Sequence, residues 1–251
     1  MRRVDTTFIL DTMKDHFKNK FSSIDAIIHF GSRIISHDID LLIITNDEQS
    51  EDGARLFFTI PPNIKFDCIQ IASRYIIPKL TMLDIAFYEP ILTGSLLYGN
   101  NHVFNQLYSI AESALPSDNT AKYLYNQGVL NLIDAEFYFH LHKRHIAKTL
   151  ISENSQMSDI LDRFNEKIKF PTEYAGWALV TLSTSCSYFI LYKIYTGSHK
   201  HIKPILFKEL LRRNDSKILK QIVASIKLLK MNEEDLSQCH VDQLISDVKK
   251  S

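Results

Sequence analysis

Apolar residues along this chain follow two different rhythms, and the change comes near residue 115. Before it, apolar runs of strand length alternate with helical patterns and turn residues, the sequence form of sheet and helix layers. Ile9, Met13 and Phe17 step by four and predict a helix from Phe8 to Phe21, with Asp5, Thr6 or Thr7 available as its cap. Ile24–Phe30 and Ile39–Thr45 are β-branched and aliphatic runs that read as buried strands, and Ile64–Ile71 reads as a third. Asp52–Thr59 reads as a short helix stopped by Pro61-Pro62. Further helices are expected over Leu80–Tyr88 and after His102.

Pro116-Ser117-Asp118 marks the boundary, and beyond it nearly everything has helical period. Helices are expected at 119–151, 156–168, 172–196, 204–213, 215–231 and 234–249, with Pro171 before and Gly197 after the middle one. The expected fold is therefore α+β: a mixed sheet with flanking helices at 1–115, then an all-α domain at 116–251. Tyr174–Tyr192 carries no charge and is long enough to span a bilayer. Thr181, Ser183, Thr184, Ser185 and Ser187 stud it with hydroxyls, so it reads as a buried helix of the second domain, with no membrane span.

Bulk composition narrows this picture. The 251 residues are 45% hydrophobic and 23% charged, ordinary for a globular chain with real cores. Lys and Arg equal Asp and Glu at 29 each, so there is no global basic field for nucleic acid, and binding would need a local patch. Cys68, Cys186 and Cys239 lie far apart with no C-x-x-C pair, and no apolar leader follows Met1-Arg2-Arg3; both point to a cytoplasmic protein with reduced thiols. His140, His142 and His145 share a helix, but their offsets scatter them around it and no His-Glu-x-x-His motif completes a zinc site. Lys143, Arg144, Lys148, Lys203, Lys208, Arg212 and Arg213 read as solvated helix faces, some of them able to hold a triphosphate or an RNA backbone.

The informative stretch is Phe30-Gly31-Ser32-Arg33-Ile34-Ile35-Ser36-His37-Asp38-Ile39-Asp40-Leu41-Leu42. Strand side chains alternate, so Asp38 and Asp40 point to one side. Strand interiors disfavour Asp, and two carboxylates side by side repel unless a cation offsets them. Mg²⁺ accepts one or two carboxylates together with phosphate oxygens and water, which suits an Asp-x-Asp pair. Upstream, Gly31 permits a sharp turn, and Ser32 can open a short helix whose free N–H groups suit a phosphate, with Arg33 beside it. Asp67, alone among apolar neighbours in the third strand, is the candidate third acid.

Gly31-Ser32, a short spacer and Asp38-x-Asp40 resemble the signature of the DNA polymerase β-like nucleotidyltransferase superfamily, over roughly residues 24–100. The spacer is short here and lacks the extra glycine often found after Gly-Ser. Leu97-Tyr98-Gly99 is similar to a segment of small bacterial members such as antibiotic and minimal nucleotidyltransferases. The resemblance implies a metal-dependent, cytoplasmic transferase. Asp38, Asp40 and Asp67 would be its catalytic and metal-binding residues, and Gly31, Ser32 and Arg33 its nucleotide-binding ones. Two Mg²⁺ ions, with Mn²⁺ as a substitute, would serve an NTP such as ATP. The acceptor hydroxyl belongs to a small molecule, a protein or an RNA, and Asp67 is best placed to take its proton. The alternative is a non-catalytic antitoxin-like or scaffold protein on the same fold, which should expose an apolar patch to a protein partner.

Overall fold

The stripe of Ile9 and Met13 forms one side of α1 (Thr6–Phe17) and is wholly buried. It lies on a sheet built from β1 (Ile24–Phe30), β2 (Asp38–Thr45), β3 (Ala54–Ile60), β4 (Ile64–Ala72) and β5 (Ser95–Gly99). The strand order is β3-β4-β2-β1-β5. β2 and β4 run parallel and the other pairs antiparallel, so the sheet is mixed. Ile39, Leu41 and Ile43 of β2 join Ile27, Phe66 and Cys68 against α1. Leu42 and Ile44, on the other face, are buried as well. A strand covered on both sides is why 41–44 reads as a continuous aliphatic run instead of alternating. α2 (Ser73–Thr81) and α3 (Ile85–Thr93) pack on the sheet, and α4 (Asn101–Ser113) packs on them.

The computed structural model describes residues 6–17, 22–31, 38–46, 54–60, 64–152, 172–196, 204–213, 216–230 and 238–250. The chain divides into one unit of Met1–Thr120 with Lys200–Leu206 and another of Ala121–His199 with Phe207–Ser251. The later segment is tied into the first unit where the buried Tyr88 hydroxyl donates to the Ile205 carbonyl. The fold is α+β, a mixed sheet with flanking helices followed by a helical region.

The second unit holds most of α5 (Asp118–Ser152), then α6 (Thr172–Thr196), α7 (Phe207–Leu210), α8 (Lys217–Lys230) and α9 (Gln238–Lys250). α6 packs against α8 and α9. Its hydroxyls are satisfied within the helix: Thr181, Thr184 and Ser187 donate to the carbonyls of Trp177, Val180 and Ser183. Ser185 donates instead across to the Gly128 carbonyl of α5 at 2.7 Å. α5 approaches that closely because residue 128 has no side chain; a Cβ there would lie 2.8 Å from the Phe189 ring. Among the described residues no helix is long and apolar enough to cross a membrane.

Three expectations need correction. Asp52–Thr59 is not a helix: Ala54–Ile60 is an edge strand, paired with β4 from Ala54↔Gln70 to Ile60↔Ile64. The aromatic and β-branched run Phe57-Phe58-Thr59-Ile60 takes the free ladder that β4 offers, and Pro61-Pro62 follows a strand instead of a helix. The helix expected over Leu80–Tyr88 is broken between α2 and α3. Leu83 there has a left-handed φ of 54°, and Asp84 caps α3 by accepting from the Ala86 N–H at 3.1 Å. The helix expected at 204–213 shrinks to Phe207–Leu210. The one expected at 156–168 lies outside the described residues.

Candidate active site

β2 and β4 are aligned so that Asp40 stands beside Asp67, and Asp38 beside Lys65. Lateral neighbours in a parallel pair point to the same face, so the Asp40 and Asp67 side chains share one side of the sheet. It is the side opposite Cys68 and Phe66, which belong to the α1 core. Both aspartates are half-buried. Their joint field reaches the thiol behind them: burial pushes the Cys68 thiol far up, and the charges of Asp67 and then Asp40 push it further.

Gly31 follows directly on Phe30, the β1 partner of Asp40. Its φ is +74°, a left-handed value that suits glycine. A Cβ at this position would collide with the Asp40 carboxylate, lying 3.3 Å from its Cγ and closer still to Oδ2. Gly31 therefore both turns the chain and leaves the volume that the Asp40 carboxylate fills. Sequence reasoning found the first role from the residue type. The second depends on the β1–β2 register, which no local spacing encodes.

The structure brings Gly31, Asp40 and Asp67 together. The backbone of Asp38 opens β2, two residues from Asp40. The Asp38 side chain, and Ser32 and Arg33 altogether, lie outside the described residues. Among the described residues no group of three or more His, Cys, Asp or Glu gathers as a metal site. The aspartate pair nevertheless suits a hard divalent cation: two carboxylates on one face, one of them lodged in the space that a glycine leaves.

Other sequence candidates fall elsewhere. Gly99 pairs with Ala26 and Tyr98 with Ile27, so Tyr98-Gly99 lies toward the end of β1 remote from Phe30 and Asp40. An apolar groove of about 1010 Å³ also lies away from the aspartates, floored by Ile28, Ile44, Ile76 and Leu107 with His102 and Gln106 on its rim. His142 is fully buried and stacked on Phe139 at 5.8 Å, while His140 and His145 are exposed. Burial, then the neighbouring charges of His145 and Lys143, pushes the His142 imidazole down to about 4. Lys143 is held by Asp242 at 2.8 Å.

No family model matches the chain, and no curated protein matches it. Among solved structures, a nucleotidyltransferase-like protein from Exiguobacterium sibiricum 255-15 overlaps 94% of this chain and 73% of its own, at 12% identity and a TM-score of 0.38.

Proposed function

We propose that the protein is a metal-dependent nucleotidyltransferase, moving a nucleoside monophosphate from an NTP to an acceptor hydroxyl with release of pyrophosphate. The observation that carries this reading is the lateral pairing of Asp40 and Asp67 on one sheet face, with Asp38 two residues away on the same strand. Asp38, Asp40 and Asp67 would hold Mg²⁺, which supplies charge neutralisation at the phosphates and at the entering and leaving oxygens. Gly31 leaves room for the Asp40 carboxylate, and Ser32 and Arg33 would grip the triphosphate. The acceptor oxygen forms a bond to the α-phosphorus, the bond from that phosphorus to the bridging oxygen breaks, and pyrophosphate departs with the electron pair. Asp67 takes the hydroxyl proton. Positioning of the two reactants provides much of the remaining rate gain.

The test is transfer of label from each α-labelled NTP in Mg²⁺ to small-molecule, protein or RNA fractions of a lysate, with Asp40→Asn as control. Label in one fraction with wild type alone supports the reading and names the acceptor class. Activity retained by Asp40→Asn sinks the metal assignment.

A second reading draws on α5, where Leu130, Ile133 and Phe137 form a stripe 53%, 55% and 57% exposed. Spaced by three and four, they share one helix face. That is what a protein-binding role would require. A co-purifying partner lost on Phe137→Glu, in a protein with no transfer activity, would favour it.

A further inference from the structure

In a chain of zero formal charge, the stretch from Pro204 to Lys230 contains seven basic residues against two acids, Glu209 and Asp215. Its core is α8, whose sequence Lys-Ile-Leu-Lys-Gln-Ile-Val-Ala-Ser-Ile-Lys-Leu-Leu-Lys has no carboxylate at all. Lys217, Lys220 and Lys227 are exposed. At about 100° per residue they fall within roughly 80° of one another around the axis, and they extend along about 15 Å of it. Just before them come the exposed Arg212 and the half-buried Arg213; the Lys220 ammonium donates to the Arg213 carbonyl at 3.2 Å, holding that turn against the helix.

This arrangement works against helix stability. Lys217 and Lys220 occupy the positive end of the helix dipole with no acid in the first turn, and as an i,i+3 pair they repel. Several lysines elsewhere have a carboxylate partner: Lys14 with Asp11 at 3.6 Å, Lys79 with Asp84 at 3.9 Å, Lys143 with Asp242 at 2.8 Å. Among the described residues, Lys217, Lys220 and Lys227 form no ion pair with a carboxylate.

We infer that the exposed lysine face of α8, with Arg212 at its head, is a docking surface for the phosphodiester backbone of a nucleic acid. One strand of B-form DNA carries a phosphate about every 3.4 Å of axis, so the lysine row matches about four successive charges. An anionic membrane is the other polyanion such a helix could meet. Membrane-surface helices bind by burying their apolar face in the lipid. The apolar face of α8 is already committed, with Leu219 and Ile222 fully buried and the helix packed on α6. The lysine side is the exposed one, and it reads phosphates without reading bases. The inference goes beyond the transfer reaction and does not rest on it.

The experiment is fluorescence anisotropy of full-length protein with a labelled 20-nucleotide RNA and the same sequence as DNA, across a salt series. The variants are the triple Lys217→Gln, Lys220→Gln, Lys227→Gln and a control triple of equal charge change at exposed lysines elsewhere, Lys14→Gln, Lys122→Gln, Lys250→Gln. Wild type should bind at least one nucleic acid. The α8 triple should weaken binding about tenfold or more and reduce the slope of log K against log salt by about 2, while the control triple binds as wild type. The RNA and DNA arms identify the source of the backbone. No binding of either, equal loss in both triples, or lysine-dependent binding to phosphatidylserine vesicles in place of nucleic acid overturns the inference. Thermal melting of both triples checks that each is folded. Retained binding with no transfer activity would refute the catalytic reading and leave this one standing.

Discussion

Replacing Asp40 by Asn should remove catalysis and yet leave the metal-free protein at least as stable as wild type. Asp40 and Asp67 are lateral neighbours on adjacent parallel strands, and strands lie about 4.8 Å apart. Two unit charges about 5 Å apart repel by about 3 kcal/mol at an effective dielectric of 20 and by less than about 1 kcal/mol in bulk water. Both side chains are half-buried, so the repulsion falls between those limits, about 1–2 kcal/mol. Asn keeps one acceptor oxygen and the same shape, so the hydrogen-bonding loss is taken as that of an ordinary bond, about 1 kcal/mol. The net expectation in EDTA and low salt is no loss, or a gain of about 1 kcal/mol, equivalent to a few degrees in Tm. Mg²⁺ at ten times its Kd should stabilise wild type by about 1.4 kcal/mol, and the variant by much less. The order of stabilities should therefore close up or reverse when the metal is added. Calorimetry is the suitable assay, because the single tryptophan, Trp177, is in the second unit and does not report on the sheet. Destabilisation of Asp40→Asn by more than about 1 kcal/mol in EDTA would refute the argument. It would mean that the other interactions of the Asp40 carboxylate outweigh its repulsion by Asp67.

Two further perturbations probe other links in the chain of reasoning. Gly31→Ala puts a Cβ on a left-handed residue, which costs about 1–2 kcal/mol, and it displaces the Asp40 carboxylate. Transfer should fall by about 100-fold, a larger effect than the modest stability change can explain; a variant with wild-type turnover would show that Asp40 is not held by this glycine. His142 is buried with its imidazole pushed down to about 4, whereas in the unfolded chain it takes a proton near 6.5. Its contribution is therefore intact above about pH 6.5 and lost as the pH falls toward 4, because the unfolded state gains the proton first, a loss of about 2–3 kcal/mol. Urea unfolding at pH 7 and pH 4.5 should show a steeper loss in wild type than in His142→Leu, and parallel losses would rule out His142 as the source.

How much of this was visible in the sequence depends on whether the cost of each feature is local. Buried strands are continuous apolar runs, so Ile24–Phe30 and the aliphatic stretch after Asp40 announce themselves. Asp38 and Asp40 stand out because acids are disfavoured in such a strand whatever surrounds it. The edge strand Ala54–Ile60 is not legible locally, because a short apolar run is equally good as helix or strand until a partner ladder is offered. The break at Leu83 hid inside a pattern that remains apolar across it, although Asp84 carried a cap signal that went unused. The return of Ile205 to Tyr88 spans 117 residues and leaves no local mark.

The same distinction separates the two sites. Asp67 could be nominated from sequence as the lone acid of its strand, but its value depends on the β2–β4 offset. Shifting that parallel register by one residue would turn Asp67 to the α1 side and bring Cys68 beside Asp40. What fixes the register is the apolar set on the α1 side, Ile39, Leu41 and Ile43 with Phe66 and Cys68, which a one-residue slip would expose to the other face. The core thus holds the two carboxylates together against their own repulsion, and the energy comes from side chains on the opposite face of the sheet. On α8 the logic is similar. Its lysines can be counted in the sequence, but they become a surface for phosphates only once Leu219 and Ile222 are seen to be buried, since an uncovered apolar face would have made the same helix a candidate for a membrane.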